Sequence, residues 1–208
     1  MTRVKICGIT CLEDLDVVVS AGADAIGLTV NVPVETPREI SEAEAVELAR
    51  AAPPFVTTVL VTMPDTPEST VELASRVQPD IVQIHGDVTP GDLAYLSAKI
   101  HGDVIKAVSP EDATRYDTIA DALLVDSLDA SGAGGTGETH DWDRTRTLVE
   151  ELSSPVIVAG GLTSENVSEA IEAVDPFAVD VASGVESEPG RKDPDAVETF
   201  VERAGGRP

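Results

Sequence analysis

The chain has 208 residues, 42% of them hydrophobic, and 38 Asp plus Glu against 14 Lys plus Arg give it a formal net charge of -24 at pH 7. That length can bury a sizeable core, while no apolar run approaches the roughly 20 residues of a membrane span and no basic stripe offsets the acid to hold a phosphate backbone. The chain opens on a strand pattern rather than on a basic and then apolar leader, so the expectation is a cytoplasmic protein with neither nucleic-acid nor membrane partners.

In chain order, short β-rich apolar runs alternate with runs of helical period. Strands are expected at 4–7, 25–30, 55–61, 81–84, 104–108, 122–126, 156–159 and 178–182, and helices at 11–20, 42–51, 67–77, 90–99, 111–118, 143–152, 164–173 and 194–203. Start signals support several helices. Thr10 with Glu13 and Ser41 with Glu44 read as capping boxes, and Thr66-Pro67, Thr89-Pro90 and Asp193-Pro194 each place a cap before a first-turn proline.

Eight strand–helix units in succession imply parallel strands joined by crossovers, and eight such units close a (β/α)8 TIM barrel. The expected organisation is one barrel domain over residues 1–208. An open doubly wound sheet is the alternative, but no linker divides the chain and no Gly-x-Gly-x-x-Gly follows the first strand. The acids are dispersed over helices (Glu42, Glu44, Glu47; Glu150, Glu151; Glu169, Glu172) rather than gathered in a tail. With lysine scarce, this surface resembles those of proteins from salt-loving organisms, where screening removes self-repulsion; an ordinary acidic cytosolic protein is the other reading.

In such a barrel, function sits where the strands end. Those ends read Cys7-Gly8, then Arg38 in a long second loop, Gln83 to Gly86, Asp126, Gly160-Gly161, and Asp180 followed by Ser183-Gly184. Strand parity puts Lys5 and Cys7 on the inner face. A buried ammonium needs a carboxylate partner, and its charge favours a neighbouring thiolate, so Cys7 is either a small core residue or a reactive thiol. Cys11 reads as a helix residue packed on the barrel. Asp126 is either solvated or a carboxyl of raised pKa suited to general acid work. The glycine-rich run after it is long enough to be a lid or a linker. Two glycine turns on the seventh and eighth strands offer backbone N–H groups to a phosphate, or are simply tight turns. His85, His101 and His140 show no metal-ligand spacing, so no metal is expected.

The motifs "VKICGIT", "TPREI", "VQIHG", "LLVDS", "GGTGETHDW", "VAGGLTSENV" and "VDVASGVESEPGRKD" resemble, in order and spacing, those of phosphoribosylanthranilate isomerases. The resemblance spans most of the chain. It implies a cofactor-free Amadori isomerisation of N-(5-phosphoribosyl)anthranilate in tryptophan biosynthesis, with Asp126 as general acid and Cys7 as general base. It further implies that Arg38 holds the anthranilate carboxylate and Asp180 the sugar. Gly160, Gly161, Ser183 and Gly184 then take the phosphate, and the loop with Gly135 and Gly137 covers the site. The expected partner is a small phosphorylated molecule, and the protein is a monomer or homodimer. Departures from the family are "LTVNVPVETPREI", which lacks the usual aromatic residues, and Glu138 and His140, where lysine and phenylalanine are common. An indole-glycerol-phosphate synthase and a non-catalytic phosphometabolite-binding barrel are the competing readings. The first needs a lysine–glutamate set that is not evident, and the second would be indifferent to loss of Cys7.

Overall fold

A computed structural model of the chain describes residues 2–126 and 142–205. Its strands β1 (Arg3–Cys7), β2 (Ala25–Thr29), β3 (Thr57–Thr62), β4 (Ile81–Ile84), β5 (Asp103–Val108), β6 (Ala122–Val125), β7 (Val156–Val158) and β8 (Ala178–Val181) form a closed barrel in chain order. All neighbours are parallel, and β8 pairs back onto β1 with Lys5 opposite Asp180. That last pairing excludes the open sheet.

Helices α1 (Leu12–Ser20), α2 (Glu42–Ala51), α3 (Pro67–Val77), α4 (Pro90–Lys99), α5 (Ala113–Tyr116), α6 (Trp142–Glu151), α7 (Val167–Val174) and α8 (Pro194–Arg203) follow the strands. The strands are β-branched and apolar because both faces are buried. Val4, Ile6, Leu28, Leu60, Val82, Leu123 and Val179 pack outward with the helices in one large core. Inward-facing positions mix large and small apolar residues, Val59, Ile105, Leu124 and Ile157 with Gly27, Ala107, Ala122 and Ala178, in an interior shared with Lys5, Gln83 and Asp180.

The caps at Ser41, Thr66, Thr89 and Asp193 form as expected, each side chain accepting a backbone N–H of the first helical turn. Thr10 does not cap. Its hydroxyl donates instead to the Gly190 carbonyl (2.9 Å), and Cys11 takes the cap position without a side-chain bond. Cys11 is therefore not a packed helix residue; its sulfur lies 2.8 Å from Arg191 Nη1. Phe55, expected to open β3, lies outside it, fully exposed with φ +76° after the Pro53-Pro54 pair. A further antiparallel pair, β9 (Glu186–Glu188) and β10 (Arg191–Lys192), follows a 3-10 turn at Ser183–Val185.

At the base of the barrel one device recurs. Asp24, Asp80 and Asp121 each precede an even-numbered strand and accept the backbone N–H of Val4, Thr58 and Val104 at 2.8 Å on the strand before. Each also donates its own N–H to that residue's carbonyl. The carboxylates thus satisfy donors that strand ends otherwise leave unpaired.

Candidate active site

Cys7 is the last residue of β1 and faces inward. Its in-register neighbour on β2 is Gly27. A Cβ at Gly27 would lie 2.6 Å from Cys7 Sγ, so the missing side chain makes the space that the thiol occupies. Two residues earlier on the same face, Lys5 Nζ meets Asp180 Oδ1 at 2.8 Å, and both side chains are buried. This is the carboxylate partner that a buried ammonium requires.

Burial works against the Lys5 ammonium, yet Asp180 and then Cys7 hold its pKa above the usual lysine value. Burial pushes the Cys7 thiol up; Lys5 opposes that and Asp180 adds to it. The lysine therefore does favour the thiolate, but its pairing with Asp180 and the lost hydration outweigh it.

Arg38 lies across the mouth from the second loop. Its Nε and Nη2 donate to Glu186 Oε1 and Oε2, both at 2.8 Å. The aliphatic stem rests on Gly8, where a Cβ would come within 2.7 Å of Arg38 Cδ. Gly8 (φ +76°) thus leaves room for the arginine. Asp126 follows β6 directly, its N–H bonded to the Val108 carbonyl (3.2 Å) and its side chain buried. On β4 and just beyond it, Gln83 Nε2 and His85 Nε2 share a 2.7 Å hydrogen bond.

Cys7, Arg38, Gln83, His85, Asp126 and Asp180 line one cavity of about 150 Å³ at the C-terminal mouth of the barrel. Among the described residues three other hollows are larger, one of them, of about 350 Å³, between α1 and α8. Another of about 470 Å³ lies beside Asn31, Met63 and Asp65, and a third of about 260 Å³ lies at the opposite end of the barrel. Size makes none of these the site, because it is the smaller cavity that the thiol and Asp126 line together.

The expected phosphate residues form two adjoining turns beside this cavity. Gly160 (φ +86°) and Gly161 (φ +63°) need the left-handed conformation. Asn166 fastens their turn by donating to the Gly161 carbonyl (2.9 Å). Gly184 packs so closely on the Leu162 carbonyl that no Cβ fits between them. Ala182, next to Ser183, lines the cavity, so the turn after β8 runs on from its wall. Gly135 and Gly137, with Glu138 and His140, lie outside the described residues.

Sequence reasoning missed Glu186 and Lys192. Lys192 Nζ bonds Glu186 Oε1 (2.9 Å) and the Ala182 carbonyl (3.1 Å), and the Gly190 N–H reaches Glu186 Oε2 (3.2 Å). The signal was a Pro189-Gly190 turn between charged residues, a hairpin pattern within a stretch noticed only for its small residues.

A closed parallel barrel with a thiol, two carboxylates and an arginine converging at its C-terminal mouth defines a (β/α)8 enzyme suited to proton transfer on a small anionic substrate. The family model for N-(5'-phosphoribosyl)anthranilate (PRA) isomerase matches residues 4–203. An N-(5'-phosphoribosyl)anthranilate isomerase of Natronomonas pharaonis is 64% identical over 206 residues, 99% of each chain. The crystal structure of phosphoribosyl anthranilate isomerase from Thermotoga maritima superposes with TM-score 0.85 at 38% identity, covering 99% of both chains. Another phosphoribosyl anthranilate isomerase structure, in complex with reduced 1-(o-carboxyphenylamino)-1-deoxyribulose 5-phosphate, gives 0.83 at 36% with the same coverage. The chain belongs to the phosphoribosylanthranilate isomerase family, and its activity is that isomerisation in tryptophan biosynthesis. Relatives such as that of Natronomonas come from halophilic archaea, in keeping with the acidic surface. No helix among the described residues is long and apolar enough to cross a membrane.

Proposed function

We propose that Asp126 and Cys7 are the acid and base of an Amadori rearrangement in the 150 Å³ cavity. The Asp126 carboxyl gives its proton to the furanose ring oxygen of N-(5'-phosphoribosyl)anthranilate. The C1–O bond breaks as the anilino lone pair forms the C1=N iminium, which makes the C2 hydrogen acidic. The Cys7 thiolate takes that proton, and the resulting enolamine tautomerises to 1-(2-carboxyphenylamino)-1-deoxyribulose 5-phosphate. The sequence moves protons and one double bond without net oxidation, so it calls for no cofactor.

Arg38 takes the anthranilate carboxylate, for which a planar guanidinium is suited, and Asp180 binds the sugar hydroxyls near the reacting carbons. Gly160, Gly161, Ser183 and Gly184 take the phosphate on backbone N–H groups, with Gly135 and Gly137 in the covering loop. The single observation that supports this reading is the convergence of Cys7, Arg38, Asp126 and Asp180 on one cavity from four separate stretches of chain. In the same reading residues 1–208 are one catalytic domain that works in the cytoplasm as a monomer or homodimer on a free phosphorylated substrate.

The test follows the disappearance of substrate fluorescence in concentrated KCl. Cys7→Ala and Asp126→Asn each lose on the order of a hundredfold or more in turnover, while both still bind the reduced product analogue. Wild-type turnover in Cys7→Ala sinks the assignment of the base.

A further inference from the structure

Glu186 has no part in the proposed proton transfers, yet it is a heavily bonded carboxylate at the mouth. Its side chain is 4% exposed and accepts from Arg38 Nε, Arg38 Nη2, Lys192 Nζ and the Gly190 N–H. Burial works against its charge, but Arg38 and then Lys192 hold its pKa below the usual carboxylate value. The strand pair that carries it also presses on the arginine's own loop: a Cβ at Gly190 (φ +81°) would lie 2.5 Å from the Pro37 carbonyl, and Thr10 bonds the Gly190 carbonyl from the other side.

The consequence for Arg38 is geometric. A guanidinium carries five N–H donors in a fixed plane, and Glu186 occupies the edge formed by Nε and one Nη2 hydrogen. The other edge, Nη1 with the second Nη2 hydrogen, has no hydrogen-bond partner among the described residues. Rotation about the last side-chain bonds, which would otherwise sweep that edge through many directions, is stopped by the carboxylate on one side and by the stem's seat on Gly8 on the other.

We propose that Glu186 is a positioning residue that aims the free edge of Arg38 at the substrate's carboxylate, and so sets selectivity for a substrate bearing that group. The proposal rests on the assignment of Arg38 to the anthranilate carboxylate. Glu186 directly follows the Ser183–Val185 turn, so one rigid segment sets the spacing between the phosphate turn and the guanidinium. Lys192, fully buried on the far side of Glu186, supplies a second cation, and the carboxylate stays ionised while Arg38 is engaged elsewhere.

The experiment measures KM, kcat and the binding of two reduced product analogues, one with the 2-carboxyl group and one with a plain phenyl ring, in concentrated KCl. Glu186→Gln raises KM about tenfold, as expected from loosening one charge-assisted contact, and changes kcat less. It weakens the carboxylated analogue and leaves the phenyl analogue unchanged. Gly8→Ala, which displaces the stem without touching Glu186, produces the same selective loss. In an Arg38→Met background, Glu186→Gln adds nothing further.

If both analogues weaken equally in Glu186→Gln, or neither does, while Arg38→Met loses the carboxylated one alone, the proposal is overturned and the role of Arg38 stands. If Arg38→Met itself fails to distinguish the analogues, the underlying assignment fails. Should Glu186→Gln not fold, Glu186→Asp, which withdraws the charge by one methylene, is read in the same assay against the same two outcomes.

Discussion

Lys5 and Asp180 face each other across the β1–β8 junction, Nζ 2.8 Å from Oδ1, one inward position below Cys7. Replacing Lys5 with Met leaves the Asp180 carboxylate buried without its cation, a change that costs about 3–5 kcal/mol in comparable pairs. Urea unfolding at fixed high KCl should show a loss of that size. The double variant Lys5→Met with Asp180→Leu should lose less than the two single changes summed, because they share one interaction. A Lys5→Met protein within about 1 kcal/mol of the parent contradicts the pairing.

The Cys7 thiol, raised by burial against the opposing pull of Lys5, predicts the pH dependence of both rate and stability. With the Cys7 thiolate as the proposed base, kcat/KM should climb about tenfold per pH unit and level off only above the ordinary thiol value of about 8.5. Stability runs the other way. Above that value the unfolded chain releases the thiol proton while the folded chain keeps it, so the unfolding free energy falls with rising pH until the folded pKa is passed. The difference in unfolding free energy between the parent and Cys7→Ser isolates this contribution. A rate plateau at or below pH 7 would refute the raised thiol.

Gly27 predicts a steric effect on chemistry. Alanine there places a methyl 2.6 Å from Cys7 Sγ, so either the thiol rotates away or β1 and β2 part. Overpacking of this kind costs about 1–3 kcal/mol. Turnover should fall well beyond what the loss of folded protein explains, whereas binding of the reduced product analogue survives. An active Gly27→Ala enzyme with an unshifted melting temperature shows that the space is not required.

The surplus of carboxylates predicts salt dependence. With 38 acids against 14 bases, self-repulsion weakens the fold wherever screening is poor, and at 1 M salt the Debye length is about 3 Å. The melting temperature should rise steadily from low to molar KCl, and with NaCl nearly as strongly, since screening is not cation-specific. Equal stability at all concentrations would separate the acidic surface from any need for salt.

Much of the barrel was legible because its signals are local. The alternation along "VKIC" put Lys5 and Cys7 on the inner face, and Ser41 with Glu44 marked α2 to the residue. Thr10 misled for a tertiary reason: its hydroxyl is drawn to the Gly190 carbonyl 180 residues away, which no helix-start rule contains. Phe55 has the side chain of a strand residue but follows two prolines at a turn, and the backbone settled the matter. The thiol's environment was half visible: Lys5 could be placed, whereas its partner stands 175 residues on. Similarly, Arg38 was found from its loop, but Glu186, 148 residues distant, was not. Pairings of this separation belong to the closure of the barrel and leave no periodicity in the chain.

The aspartates at the base have a consequence for how the barrel breathes. Asp24, Asp80 and Asp121 rivet β1 to β2, β3 to β4 and β5 to β6, and among the described residues no side chain makes the equivalent bond between β7 and β8. That pair also keeps the shortest register, with two facing positions. The cylinder is therefore riveted in three quarters and merely seamed in the fourth, and it is from the seam that the two glycine turns rise. Amide exchange should open there first, at the edge of the cavity, so the loosest backbone of the barrel is the backbone that would have to shift to admit and release a phosphate.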